Sequence, residues 1–211
     1  MSLYYEDEFV ELHLGDCRGV RRWTTADVLV TDLPYGVAYS SGWVKRDRTI
    51  AGDESAGVRD EVIEMWGDRP ALVFGSWKVD RPANTLHRLI WDKAGDPGMG
   101  DLSMPWGNGE EEIYVLGRGW QGARRSNVIR APKPPIATRP DHPTPKPVAL
   151  MEALIAKCPP GLIADPFAGS GATLIAARNL GRRAIGVEVE EKYCELIVSR
   201  LAQQAFQFEG L

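Results

Sequence analysis

The chain has 211 residues, 44% of them hydrophobic, and a formal net charge of −4. That length can bury the core of one α/β domain. The acidic balance argues against a generic nucleic-acid coat, though not against a local basic surface. No apolar run approaches the ~18 residues of a membrane span. The acidic start Met1–Glu11 lacks a secretory pattern, which points to the cytoplasm and away from membranes. Cys17, Cys158 and Cys194 are scattered, and His13, His87 and His142 lack ligand spacing, so neither disulfides nor a metal is indicated.

Phe9 to Leu14 alternates apolar and polar residues, predicting a half-buried strand, and runs into Gly15-Asp16-Cys17. Asp27 to Thr31 is short, apolar and β-branched, predicting a second strand. It ends in Asp32-Leu33-Pro34-Tyr35-Gly36. The exocyclic amino group of a nucleobase is a poor nucleophile, because its lone pair is delocalised into the ring. Asp32 can accept one of its N–H bonds, and the Leu33 carbonyl the other if Pro34 holds that residue extended. The acid also steadies the positive charge that develops on the nitrogen. Tyr35 offers a face on which an extruded base can stack. By itself the segment also fits a simple Pro-containing turn.

The polar stretch Val37–Arg48 predicts a loop over that tip, with Lys45, Arg46 and Arg48 facing phosphates. Val58–Trp66 predicts a helix, Ala71–Phe74 a buried strand, Pro82–Leu89 a helix and Leu89–Trp91 a strand. Trp66, Trp77 and Trp91 are expected in the core. Residues 93–109 hold five glycines and predict a loop, and Glu112–Leu116 a strand. From Gly117 to Pro147 there are seven Lys or Arg against one acid, with little periodicity. A structureless basic stretch of that length predicts phosphate contact. Trp120, Arg124 and Arg125 in it, with Trp106 in the loop before, are the candidates for meeting DNA.

Val148–Ala156 predicts a helix opening after Pro147. Thr144 and Lys146, just ahead of it, can hydrogen-bond a ligand carboxylate. Leu162–Ala164 is a strand leading into Asp165-Pro-Phe167-Ala-Gly169-Ser170-Gly171 and a helical run. Gly169 and Gly171 let the backbone approach a ligand. Arg183–Val187 is a further strand ending in Glu188, which lies 19 residues beyond Gly169, where an acid can accept from ribose hydroxyls. The turn lacks a third glycine and any Gly-Lys-Ser/Thr. Asp165 would repel a pyrophosphate, so a nucleoside with a cationic end fits better than NAD or ATP. S-adenosylmethionine is such a ligand. Glu191–Gln204 predicts an amphipathic closing helix.

These motifs, in this order, resemble the amino-methyltransferases that act on adenine N6 or cytosine N4 in DNA. The chain looks like a small bacterial or phage member of their permuted (β) group. The likeness rests on Gly15-Asp16-Cys17, Val30-Thr-Asp-Leu-Pro-Tyr-Gly36, His142-Pro-Thr-Pro-Lys-Pro147, Asp165-Pro-Phe-Ala-Gly-Ser-Gly171 and Ile185-Gly-Val-Glu-Val189, with Leu89-Ile-Trp-Asp-Lys93 weaker between them. It implies a Rossmann-like S-adenosylmethionine-dependent methyltransferase fold. The sheet would be mostly parallel, with helices on both faces and a circularly permuted motif order. It further implies one domain over 1–211, with a DNA-recognition insertion at about 93–141 and relaxed specificity. Asp32, Leu33, Pro34 and Tyr35 would be catalytic. Asp16, Cys17, Thr144, Lys146, Asp165, Phe167, Gly169, Ser170, Gly171 and Glu188 would hold the cofactor. Double-stranded DNA would be the substrate, and a homodimer the assembly.

Leu33 departs from the family's usual Pro. The backbone carbonyl survives the change, but rigidity does not. Asp32 favours adenine over cytosine, because the cytosine enzymes more often carry Ser there. Two rivals stand beside this reading. One is an RNA or protein-glutamine methyltransferase, which usually carries Asn at the first catalytic position. The other is a non-catalytic DNA- or cofactor-binding relative, motivated by Leu33.

Overall fold

A computed structural model describes residues 2–34, 57–96, 103–135 and 145–208, and over these the chain forms short apolar strands and four helices. The strands are β1 (Ser2–Glu6), β2 (Val10–Leu14), β3 (Val28–Thr31), β4 (Ala71–Gly75), β5 (Thr85–Asp92), β6 (Glu110–Leu116), β7 (Val128–Arg130), β8 (Ile163–Asp165) and β9 (Ala184–Glu188). The helices are α1 (Gly57–Trp66), α2 (Val148–Ile155), α3 (Ala172–Asn179) and α4 (Glu191–Phe208), with a 3-10 turn at Arg22–Thr25. The described strands form one sheet in the order β1-β2-β9-β8-β3-β4-β6-β5-β7. From β2 to β4 every pairing is parallel. Strands β6 and β5 are antiparallel additions, β7 runs parallel to β5, and β1 is antiparallel on the opposite edge. Strands β8 and β9, late in the chain, sit between β2 and β3, early in it. This is the permuted order the motifs predict.

Side-chain alternation explains why the sheet is covered on both sides. Val28, Val30, Leu72, Phe74, Ile113 and Val115 join one core with Leu150, Leu154, Leu174 and Ile197 from α2, α3 and α4. Their neighbours Leu29, Ala71, Val73, Tyr114 and Leu116 join a second core with Trp23 of the 3-10 turn and Val62 and Trp66 of α1. Trp23 and Trp66 stack with centroids 6.1 Å apart, and the Arg69 guanidinium caps Trp66 at 3.7 Å.

Strand direction decides what each end of the sheet can reach. The carboxyl ends of β3, β4, β8 and β9 lie along one rim, where ligands bind in such sheets. Strand β6 runs the other way: Glu112 pairs with Gly75 on that rim, and Leu116 pairs with Ala71 at the opposite one.

Several expectations need revision. Residues Thr85–Leu89 are strand rather than helix. Leu86 is 53% exposed, so its helical spacing to Ile90 never meets a core. The ladder to β6 and an ion pair from Arg88 to Glu112, 2.6 Å long, hold the segment extended. Strand β7 lies inside the basic stretch read as structureless, and β1 went unpredicted. Both are sheet edges with little buried side chain to mark them. Two strands, β6 and β7, therefore fall within 93–141. Trp66 and Trp91 are buried as expected, but Trp77 is 66% exposed. No described helix is long and apolar enough to cross a membrane.

Candidate active site

A cleft of about 340 Å³ opens on the rim formed by the carboxyl ends of the strands, a volume suited to a small ligand. Asp32, Leu33 and Pro34 after β3, Ser76 and Trp77 after β4, Asp165 and Phe167 to Ser170 at the end of β8, and Glu188 of β9 all line it, with Glu111 and Lys146. The tips of β3 and β8 are tied together directly: the Thr31 hydroxyl donates to Asp165 Oδ1 at 2.8 Å. The segments expected to be catalytic and to hold the cofactor, more than 130 positions apart in sequence, thus share one wall.

The bend after β8 is shaped by glycine. Gly169 and Gly171 have φ of 50° and 79°, the left-handed region that a Cβ disfavours. A Cβ on Gly171 would also stand 2.8 Å from Ile197 of α4. The Gly169 amide donates to Glu188 Oε2 at 2.8 Å, and the Glu190 amide to Glu188 Oε1 at 2.9 Å. Burial raises the Glu188 carboxyl above its usual range, against the pull of these amides.

Asp165 is 3% exposed. Burial pushes its carboxyl up to about 7; Thr173, Thr31 and the Phe167 amide restrain the rise, and the Asp32 charge adds to it. A buried acid facing a cleft, with no cation on it among the described residues, suits a ligand that carries positive charge.

Leu33 is 1% exposed and packs into the second core. Side-chain burial therefore anchors the position that a proline ring usually stiffens. Lys146, expected to meet a cofactor carboxylate, has its ammonium on protein carboxylates instead: 2.5 Å from Asp32 Oδ2 and 3.1 Å from Glu111 Oε2. Burial works to lower its pKa, but Asp32 and Glu111 outweigh it and raise it well above the usual lysine range. Glu111 is the mirror case. Burial pulls its carboxyl up, and Lys146 with Lys93 holds it below the ordinary value. Glu111 escaped the sequence reading because its partner lies 35 residues away. The available signal was Glu110-Glu111-Glu112, three acids opening an otherwise apolar strand.

Other predicted residues fall elsewhere. Asp16 is half-exposed, forked onto Arg18 at 3.0 and 3.1 Å, and does not line the cleft. Cys17 is buried in the second core, with its carbonyl accepting from the Trp23 indole at 2.8 Å, which leaves only backbone for a ligand. Burial pushes the thiols of Cys17, Cys158 and Cys194 up to about 12, so none is a ready nucleophile. Among the described residues no cluster of His, Cys, Asp and Glu could hold a metal.

Trp120, Arg124 and Arg125 follow β6 at the rim opposite the cleft. The Trp120 indole donates to the Gly117 carbonyl and packs against the core. Lys157 donates to the Ala123 carbonyl beside the two arginines. Strand β6 carries the chain away from the cleft before it reaches these residues. Trp77, Lys78 and Asn108 line the cleft instead, and Trp106 is 79% exposed. Tyr35, Lys45, Arg46 and Thr144 lie outside the described residues.

Comparison with known proteins agrees with this geometry. A family model described as DNA methylase, N6_N4_Mtase, matches residues 107–199. YubD of Escherichia coli K12, a methylase by name, is 32% identical over 92% of this chain and 91% of its own. The type II methyltransferase M.ScaI of Streptomyces caespitosus is 34% identical over 61% of this chain and 42% of its own. Among solved structures, the M1.HpyAVI–SAM complex superposes with a TM-score of 0.65 at 19% identity, covering 92% of this chain and 99% of its own. The cytosine-N4-specific PvuII DNA methyltransferase gives 0.67 at 12% identity, covering 93% and 87%. At those identities the structures speak for the fold.

Proposed function

The chain belongs to the N6/N4 DNA methylase family, S-adenosylmethionine-dependent enzymes that methylate exocyclic amino groups in DNA, and on that premise we propose adenine N6 as the atom it modifies. The observation that carries the catalytic assignment is the shared wall: Asp32 and the glycine bend open on one cleft, joined through Thr31 and Asp165.

The residues fit the cofactor. Gly169 and Gly171 leave the bend free of side chains, and Asp165 meets the cationic end. Glu188 would take the ribose hydroxyls, and Phe167, which also lines the cleft, would lie beside the nucleoside. Ser170, which lines the cleft, and Thr144 complete the binding set on resemblance. When bound, the cofactor supplies an electrophilic methyl on a sulfonium. Asp32 accepts one N–H of the target amine. A carboxylate has about four lone-pair sites, so the bond from Lys146 leaves capacity for it. The Leu33 carbonyl accepts the other N–H, and together they aim the nitrogen lone pair along the line of attack. Tyr35 stacks on the extruded base. DNA approaches over the cleft rim, where Trp77 and Lys78 stand. The enzyme works in the cytoplasm and as a homodimer, which sedimentation of the purified protein checks.

Nucleoside mass spectrometry of DNA from cells expressing the chain is expected to show N6-methyladenine, and long-read sequencing its context. N4-methylcytosine without N6-methyladenine would overturn the choice of base. Gly169→Val places a β-branched side chain at a φ of 50° on the bend. Cofactor affinity should fall by about 100-fold, at roughly 1.4 kcal/mol per tenfold. Unchanged affinity by calorimetry would refute the site.

A further inference from the structure

Four side chains of alternating charge run inward from the catalytic tip. Lys146 Nζ lies 2.5 Å from Asp32 Oδ2 and 3.1 Å from Glu111 Oε2, and Lys93 Nζ lies 3.0 Å from Glu111 Oε1. The two ammonium groups are largely enclosed, with side chains 10% and 8% exposed. Aromatic rings form their floor. Lys146 lies 4.9 Å from the centre of the Phe74 ring and 6.0 Å from that of Trp91, and Lys93 lies 5.4 Å from Trp91. Trp91 is itself fixed, its indole donating to the Ala131 carbonyl at 2.7 Å.

Enclosed ion pairs add little net stability, because desolvation offsets their attraction. Their worth is geometric. A lysine is a flexible four-carbon stem carrying a point charge. With Asp32 as its sole partner it could follow that carboxylate through a range of positions. Glu111 on its far side restricts it, and Lys93 in turn fixes Glu111 by taking the other oxygen. The chain of contacts therefore begins at β5 and β6, inside the sheet, and ends on the group that grips the target amine.

We propose that Glu111 and Lys93 are positioning residues for the reaction: acting through Lys146, they set where the Asp32 carboxylate stands. The proposal rests on Asp32 being the acceptor of the target amine.

The test is single-turnover methyl transfer with enzyme, S-adenosylmethionine and duplex DNA all at saturation, which isolates the chemical step. Glu111→Gln keeps size and hydrogen bonding but removes the charge that holds both lysines. Its rate should fall about 10- to 100-fold, the cost of a small misplacement. The Kd for cofactor and the KM for DNA should stay within about threefold of wild type. Lys93→Met should lower the same rate less, since it touches Asp32 at two removes. In an Asp32→Ala background, Glu111→Gln should cost nothing further, because there is no carboxylate left to place. An unchanged rate in Glu111→Gln, or losses in rate, affinity and Tm that move together, would overturn the positioning role. Near-wild-type transfer by Asp32→Ala alone would instead overturn the catalytic assignment beneath it.

Discussion

Asp32→Ala is expected to reduce methyl transfer to DNA by at least about 10³-fold while S-adenosylmethionine affinity changes by less than threefold. The size follows from what is removed. Asp32 accepts a hydrogen bond from the amine and faces the charge that grows on its nitrogen, and one such preorganised group is typically worth about 10²–10³ in rate. Its loss also frees the nitrogen lone pair to return to the ring. The cofactor bend should be largely untouched, because Thr31, and not Asp32, makes the bond to Asp165. Lys146 keeps Glu111 as a partner, so the ammonium is not stranded and the variant should fold, with Tm lowered by a few degrees. Product analysis with tritiated methyl donor, beside calorimetry of cofactor binding, reads both halves. Transfer near the wild-type rate would show that another group draws the amine into line.

The second large effect concerns Asp165, whose carboxyl burial pushes up to about 7. A cationic ligand binds its ionised form, so binding should expel a proton below that pH. Cofactor affinity should weaken by up to about tenfold for each pH unit below 7 and level off above it. Calorimetry in buffers of different ionisation heat should detect the proton release at pH 6.5. The same residue sets a stability slope of opposite use. Its folded-state value stands above the 3.8 of the unfolded chain, so the folded state holds the proton longer. Stability of the free protein therefore falls as pH rises from about 4 to 7, by at most about 4 kcal/mol over roughly three pH units at ~1.4 kcal/mol each. Asp165→Asn abolishes that penalty. It should bind cofactor at least about 100-fold more weakly, yet melt higher than wild type at pH 8 when free, with the difference shrinking toward pH 5. Cofactor affinity constant from pH 5.5 to 8 would refute the role.

Much of the architecture was written in local pattern. Leu29-Val30-Thr31, Leu72-Val73-Phe74 and Ile185-Gly186-Val187 are strands because only a sheet covered on both faces can bury such continuous runs. Asp32, Asp165 and Glu188 at strand ends, with the glycines at 169 and 171, marked the rim. Elements at the margins were not legible. Thr85–Leu89 has helical spacing but is extended through pairing with β6, a tertiary override of local preference. Trp77 reads as core by residue type, but the turn after Gly75 points it outward; only its place in the turn distinguishes it from Trp91. The charged chain beneath Asp32 was hidden for a different reason. Lys146 and Asp32 meet across 114 residues, and no periodicity records a contact of that separation. For Arg124 and Arg125, composition suggested the DNA surface, but the direction of β6 placed them at the other rim.

The interleaving of strands has a consequence for how the protein is made. The middle of the sheet needs β8 and β9, which are synthesised last, to slide between β2 and β3, which are synthesised among the first. While translation is under way the early strands have no partner for their inner edges, and contacts this distant are slow to form. The pocket wall can close only after β9 has been synthesised. A product that stopped before β8 would lack the centre of its own scaffold and, with it, the glycine bend that lines the cleft.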